Sequence, residues 1–418
     1  MISTTERIAH LAEGRILGVS AFLTLPLAIL APKGVALLFG LTAVSSFIVG
    51  LAHRQKNRGP VGPSLALAAA FILLSLSSAM WSMTPESSFK KALVLGLVLF
   101  GGLVLTFSAR RLKGEARRVF EIGLIAGGVL GFGVIAIEVA FSSPILALPG
   151  TIMGRPTEQN IVLLRGINQG AAVASVFILP WTIALWRHKG VLWASAGFTV
   201  CVTVLAFCQA DSHKAALVIG MAAALIAFVG GRPVLRGFSL LCVLGVLSSP
   251  WLVSALPDPL QPDNNAAVLP NSSQHRLVIW QTTAGHIFER PFFGSGFDTA
   301  RAFYGPDQKV AYFFGGKEAD TKWSNLFEPI PLHPHNGTLQ VWLELGAAGA
   351  ALLAAGLFLI VRRLAAVSNN FERSILFGTF VTGLVIFSIS YGAWQGWWMG
   401  AIWLMMAFAA AFFTVNAE

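Results

Sequence analysis

Apolar runs of about 17 to 24 residues recur along almost the whole of this 418-residue chain, and a helix of that length crosses roughly 30 Å of hydrocarbon. Twelve can be read, at approximately 16–32, 35–53, 65–81, 90–108, 118–141, 167–186, 190–209, 215–231, 236–255, 338–361, 374–391 and 395–414. Inside a bilayer each segment must satisfy its own backbone groups, so the expected fold class is an all-α polytopic membrane protein of about twelve transmembrane helices. Composition agrees: 55% hydrophobic and 11% charged residues, with a mean hydropathy of +0.71, leave too little polar surface to cover a soluble domain. The first run follows Arg7 and Arg15 as a signal peptide would, but further runs continue directly after it, and it is expected to stay attached.

Short loops rich in Lys and Arg set the orientation. With the N-terminus inside, the inner loops are His53–Arg58, Arg110–Arg118 with five basic residues, Arg187 with Lys189, Arg232 with Arg236, and Arg362, Arg363 and Arg373. These and the N-terminal Arg7 and Arg15 hold 17 of the 29 basic residues, so the net charge of +10 reads as topology and not as a nucleic-acid footprint. Both termini are then cytoplasmic. Residues 1–255 form helices 1–9, residues 256–335 a large outer loop, and residues 336–418 helices 10–12. The loop opens with Pro257, Pro259, Pro262, Asn264, Asn265, Asn271, Ser272 and Ser273, an irregular stretch. From Arg276 to Phe288, however, Leu277, Trp280, Ala284, Ile287 and Phe288 recur at helical spacing, predicting an amphipathic helix at the membrane surface capped by Ser272 or Ser273. Gly294-Ser295-Gly296-Phe297 predicts a tight turn, and Tyr304–Pro331 a short lid.

Cys201, Cys208 and Cys242 fall inside apolar runs as small hydrophobes, implying neither disulfides nor a metal site. Phosphate-binding glycine loops, paired-histidine zinc helices and dinucleotide fingerprints are absent from the sequence, so no cofactor and no metal is expected. The informative polar residues are cations that the orientation rule does not explain. Arg165 sits at the outer mouth of the sixth run in Leu164-Arg165-Gly166-Ile167-Asn168-Gln169; Lys214 lies in an outer turn, Asp211-Ser212-His213-Lys214; Arg276 opens the amphipathic helix. Three such cations can converge on one anion, a lipid pyrophosphate at that depth, or each can snorkel to lipid headgroups or pair with Asp211.

The segment from Leu332 to Gly346 brings further ionisable groups to the same boundary. If its helix begins near Asn336, then Asn336, Gln340 and Glu344 fall at i, i+4 and i+8, one polar stripe on an apolar helix, with Asn336 as N-cap. His335 stands just before the positive helix end, which disfavours imidazolium. A neutral imidazole there can take a proton from an attacking hydroxyl, or can simply cap loop carbonyls; for His333, set apart by Pro334, the structural role weighs more. Glu344 is open to three roles: a partner of the histidine, a direct acid–base group, or a buried acid hydrogen-bonded across helices.

About twelve spans, one large late outer loop, Arg276-x-x-x-Trp280, Arg290-Pro291-x-x-Gly294-x-Gly296, and His335-Asn336 followed by Gln340, Glu344 and Gly346 together resemble the O-antigen ligase family. The resemblance covers Arg165 to the C-terminus in motifs and the whole chain in topology. It implies a metal-independent, inverting glycosyltransferase of the bacterial inner membrane, active on its periplasmic face. The implied donor is an undecaprenyl-diphosphate-linked glycan, the acceptor a sugar hydroxyl of the lipid A core, and the surroundings membrane lipids, with no nucleic acid. By the same resemblance His335 activates or positions the acceptor and Arg276 contacts the donor pyrophosphate. Where the family usually has a further arginine in a short outer loop, this chain offers Lys214, which lacks the bidentate fork, so that Lys214, His213 or Arg165 completes the clamp. Arg165 with Asn168 resembles a second family signature. An O-antigen or exopolysaccharide polymerase, or a protein O-oligosaccharyltransferase, would share fold and donor. A transporter fits the hydropathy too, but would more naturally carry broken helices and midplane charges.

Overall fold

The computed structural model describes residues 4–52, 62–141, 145–147, 160–209, 211–258, 271–304, 313–314, 317–318 and 329–413. Eleven long helices carry these residues: α1 (Thr4–Leu30), α2 (Gly34–Ala52), α3 (Gly62–Ser77), α4 (Pro85–Arg110), α5 (Gly114–Ala140), α6 (Asn160–Ala206), α7 (Asp211–Ser254), α8 (Asn271–Glu289), α9 (Gly337–Ala365), α10 (Asn370–Ile389) and α11 (Gly396–Ala410). The only strands among the described residues are a two-residue antiparallel pair, Phe313–Phe314 with Lys317–Glu318. The chain is an all-α polytopic membrane protein. Nine helices among the described residues are long and apolar enough to cross a membrane, and α11, with 15 residues, is shorter.

Every one of the twelve apolar runs falls on helix, because two of the helices are broken pairs. α6 loses helical geometry at Gly190 (φ 82°) and α7 at Gly231 (φ 64°), conformations that cost a Cβ-bearing residue more than glycine. The halves of α6 then fold back: Gly197 faces Trp181 and Leu185, although sixteen residues of straight helix would separate Gly197 from Trp181 by about 24 Å. In α7, Gly220 lies on Gly378 and Thr382 while Phe238 stacks edge-on against Phe377 at 5.0 Å, so both halves meet the same stretch of α10.

α1 and α5 pack through small residues. Gly14 and Gly18 on one helix, and Gly123 and Gly127 on the other, let the backbones touch, the membrane solution where hydrophobicity gives no preference for protein over lipid. A Cβ on Gly123 would land on the Gly18 carbonyl. At one end of the bundle a buried ion network ties α5, α6 and α10: Arg187 donates to Glu121 at 2.9 Å and to Glu372 at 2.6 and 2.8 Å, and His188 meets Glu121 at 2.8 Å. The polar site described below lies at the other end.

Four expectations need correction. α1 starts at Thr4, so Arg7 and Arg15 belong to the helix instead of preceding it. α7 starts at Asp211, whose carboxylate suits a helix N-terminus, so His213 and Lys214 stand on its first turn and not in a connecting turn. α8 starts at Asn271, which puts Ser272 and Ser273 inside the helix instead of at its cap. The tenth run is not one rod: α9 breaks at Gly346 (φ 62°), and Gly349 comes to lie on Val341 and Leu345. The inner loop at 53–58, the irregular stretch at 259–270 and most of the lid (305–312 and 319–328) lie outside the described residues.

The break at Gly346 is held by close backbone approach, since a Cβ there would meet the Phe292 carbonyl. Gly346→Ala is expected to lower the thermal midpoint of the detergent-solubilised protein, at a cost above about 1 kcal/mol because alanine must adopt positive φ and displace backbone. An unchanged midpoint would show that the approach relaxes freely.

Candidate active site

Breaking a helix strands carbonyls before the break and N–H groups after it. In α9 a loop from another part of the chain takes up both. Ser295 N and Gly296 N donate to the Leu343 and Glu344 carbonyls, each at 2.9 Å, while Ala347 N and Ala348 N donate to the Pro291 and Phe292 carbonyls at 2.8 and 3.2 Å. Here lies the physical content of Arg290-Pro291-x-x-Gly294-x-Gly296. Its two glycines have positive φ, 65° and 107°, and a Cβ on Gly294 would strike the Glu344 backbone.

The short first half of α9, residues 337–345, carries the polar stripe. Asn336 is its N-cap, with Oδ1 accepting from Leu339 N at 3.0 Å. Gln340 Nε2 donates to Glu344 Oε1 at 3.0 Å, and Gln340 Oε1 accepts from Ala393 N at 2.8 Å. Glu344 is fully buried and accepts from Asp298 N at 2.7 Å and Trp394 Nε1 at 2.6 Å, with Ala300 N at 3.4 Å. Of its three possible roles, the geometry gives Glu344 that of a buried acid bonded across elements. It fastens the 294–300 loop and the 390–395 loop to the same turn.

His335 precedes this helix with φ 54°, a strained value for a residue with a side chain. Its ring Nδ1 lies 2.6 Å from the Ser390 carbonyl. A carbonyl only accepts, so Nδ1 carries the proton and Nε2 keeps its lone pair. The His335 N–H donates to His333 Nδ1 at 3.1 Å, the two rings are 4.3 Å apart, and His333 Nε2 lies 2.8 Å from the Gln395 amide. His333 is thus a brace beneath His335.

α8 locks onto the same loop through Trp280 Nε1, which donates to the Pro334 carbonyl at 3.1 Å. Arg276, one turn earlier on that face, is thereby brought toward His335. Burial pushes the His335 imidazole below its ordinary pKa, the Ser390 carbonyl opposes this, and the Arg276 guanidinium adds to it. Burial, with His335 and Arg301 behind it, pushes His333 down to about 3, and burial with His335 and Arg276 pushes His275 down to about 4. All three imidazoles are neutral near pH 7.

Opposite Arg276 stands Tyr391. Its hydroxyl lies 3.3 Å from His213 Nε2 and 3.4 Å from the Asn168 carbonyl, and its ring stacks on His213 at 5.9 Å. Burial raises its pKa while Arg276 pulls the other way, so the O–H remains a donor. The structure therefore gathers His335, Arg276, His213 and Asn168 around Tyr391. Lys214 Nζ lies 3.2 Å from Asp211 Oδ1, an exposed pair. Arg165 stands on the first part of α6, and its side chain lies outside those described. Among the described residues no three His, Cys, Asp or Glu side chains gather as metal ligands do.

Sequence reasoning missed Ser390, Tyr391, Trp394, Gln395 and Asp298. Tyr391-Gly392-Ala393-Trp394-Gln395 sits between two apolar runs, and a short loop with two aromatics and an amide was the available signal.

The helical membrane bundle thus encloses an imidazole and a guanidinium at one end. Residues 161–354, which hold Asn168, His213, Arg276, His335 and Glu344, match the family model described as O-Antigen ligase. Proteins named "Putative polysaccharide ligase" are similar: that of Rickettsia bellii is 30% identical over 200 residues, 47% of each chain, and that of Rickettsia prowazekii 28% identical over 245 residues, 57% of each. A third, from Rickettsia conorii, is 32% identical over 136 residues, 32% of this chain and 31% of its own. The matches span about half the length of these curated relatives, or less. Residues 161–354 are thus similar to the O-antigen ligase family.

Glu344→Ala would leave the Asp298 N–H and the Trp394 indole buried without their acceptor, at about 1–3 kcal/mol each. A fall of several degrees in thermal midpoint is expected, with Glu344→Gln closer to wild type. Equal midpoints for Glu344→Ala and wild type would show that neither bond matters.

Proposed function

We propose that this protein is a glycosyltransferase of the O-antigen ligase type, and that its finer chemistry is transfer of a glycan from undecaprenyl diphosphate to a sugar hydroxyl of the lipid A core. The observation that carries the reading is the pairing at one boundary of a neutral His335, its Nε2 lone pair free of the Ser390 bond, with the Arg276 cation. The acceptor hydroxyl attacks the anomeric carbon, its proton passing to His335 Nε2. A new C–O bond forms as the bond to the diphosphate breaks, and the electron pair leaves with the diphosphate. Arg276 stabilises the charge that grows there, the preorganised electrostatic part of catalysis. Attack opposite the leaving group inverts the anomeric centre. Of the residues considered for the second cation, His213 keeps company with Arg276, while Lys214 is engaged by Asp211. On this reading the second contact to the diphosphate comes from His213 or Arg165.

Basic residues cluster at the far end of the bundle from this site, which supports a cytoplasmic far end, cytoplasmic termini and a periplasmic site in a bacterial inner membrane. Placing two lipid-held substrates in one interfacial plane supplies proximity without a large soluble binding surface.

Purified protein incubated with lipid-diphosphate glycan and lipid A core is expected to yield glycan on the core. Glycan growing on the carrier would select the polymerase instead, and no transfer to either would sink the reading. His335→Ala should lower kcat by roughly 10²- to 10⁴-fold with insertion intact. Arg276→Ala should raise the donor requirement and weaken transfer, and an unchanged donor dependence would remove it from the clamp. Activity is expected to persist in EDTA, as the family resemblance implies; loss in EDTA, restored by a divalent cation, would contradict it.

The pH profile carries a sign. Because burial and Arg276 disfavour the His335 imidazolium, the base remains available as pH falls through the ordinary imidazole value of about 6.5, and the acidic limb of kcat/KM lies below it. A limb above that value would contradict a depressed His335.

A further inference from the structure

The base of the transfer reaction needs a third group to fix its tautomer and to stabilise it once protonated; a carboxylate often serves. Here the partner of His335 Nδ1 is the carbonyl of Ser390, at 2.6 Å, and its position in the fold matters. Ser390 is the C-cap of α10, its N–H still bonded to the Ile386 carbonyl at 3.0 Å. The last carbonyls of a helix have no intrahelical donor and carry the negative end of the helix dipole. α10 therefore aims an orphan acceptor, with a partial negative charge behind it, at the proton that identifies Nε2 as the basic nitrogen.

That carbonyl shares a rigid peptide plane with the nitrogen of Tyr391, so whatever fixes Tyr391 fixes the direction in which the carbonyl points. Tyr391 is held by four neighbours. Its hydroxyl reaches the Asn168 carbonyl and His213 Nε2 at 3.4 and 3.3 Å. Its ring meets Trp397 edge-on at 4.8 Å and Trp398 at 5.3 Å. Two bonds further along, Gln340 and Glu344 secure Ala393 N and the Trp394 indole. His335 itself sits at positive φ, so its own backbone does not favour the observed ring position.

We propose that Tyr391 is a positioning residue for the base: by anchoring the Ser390–Tyr391 peptide across α6 and α7 it holds the helix-terminal carbonyl that serves His335 in place of a triad carboxylate. The inference rests on the transfer reading for its kinetic consequence but not for its structural one. Arg276 and His275 on α8 and His333 on the same loop also face His335, and none of them accepts its Nδ1 proton among the described bonds.

The test uses the full-length protein in lipid nanodiscs with ¹⁵N-labelled histidine, the His335 signal being assigned by its loss in His335→Gln. Long-range ¹H–¹⁵N spectra of the wild type should show His335 protonated at Nδ1; protonation at Nε2 would overturn the proposal outright. Tyr391→Phe keeps the ring and removes the hydroxyl. It is expected to give mixed His335 tautomers and to lower kcat by roughly ten- to a hundredfold, with the donor KM within about twofold of wild type. An unchanged tautomer with unchanged kcat refutes the positioning role. A raised KM at constant kcat refutes it too, because Tyr391 would then be a donor contact. If Tyr391→Phe does not fold, Trp397→Phe, which removes the edge contact on the Tyr391 ring, carries the same two measurements. Should the wild type transfer no glycan at all, the functional reading fails, while the tautomer comparison still decides whether Tyr391 sets the His335 proton.

Discussion

The Glu344 carboxylate, buried to zero exposure at the end of a half-helix, is the interaction on which the rest of the site depends. One turn of α9 presents it, and three separate parts of the chain donate to it: Gln340 from its own helix, Asp298 from the loop after α8, and Trp394 from the loop between α10 and α11. A buried carboxylate is costly unless its lone pairs are filled. Here the filling is what brings distant loops to one point, so the cost of burial is offset by the order it imposes. The broken helix contributes in the same way. Its stranded backbone groups demand partners, and residues 291–296 supply them, which fixes α8 and hence Arg276 against the His335 loop.

Much of this was legible in the sequence. The apolar runs gave most helix positions to within a few residues, α1 starting well before its run being the exception, because span length is set by bilayer thickness, a constraint that leaves little freedom. Asn336 was readable as a cap, and Gln340 with Glu344 as one stripe, since both inferences need only local periodicity. The fold-backs at Gly190 and Gly231 were readable as short gaps between runs. The break at Gly346 was not, because it interrupts no polar stretch: a single glycine between Leu345 and Ala347 has the composition of a span interior.

The site was legible in its chemistry and not in its scaffolding. His335 and Arg276 are conspicuous because ionisable groups at a boundary are expensive. Tyr391 and Trp394 are not conspicuous, because aromatic residues are common at membrane interfaces and an aromatic that anchors a peptide looks no different in sequence from one that faces headgroups. Likewise the different surroundings of His213 and Lys214 turn on helix rotation. Neighbouring side chains on a helix diverge by about 100°, and here His213 is buried while Lys214 meets the exposed Asp211.

On the proposed reaction, an interfacial base supported by a backbone carbonyl suits this location better than one supported by a second carboxylate. A carboxylate beside His335 would place a full negative charge near the pathway of a diphosphate leaving group and would compete with it for Arg276. A helix-terminal carbonyl supplies only a partial charge, fixed in direction, and accepts one proton without titrating. On the proposed mechanism, the imidazolium formed on proton transfer is then stabilised from one side while the guanidinium on the other stays committed to the departing anion. Dividing the two charges between α10 and α8 requires the end of α10 and the first part of α8 to meet at the His335 loop, and the Ser390 and Trp280 bonds hold both there.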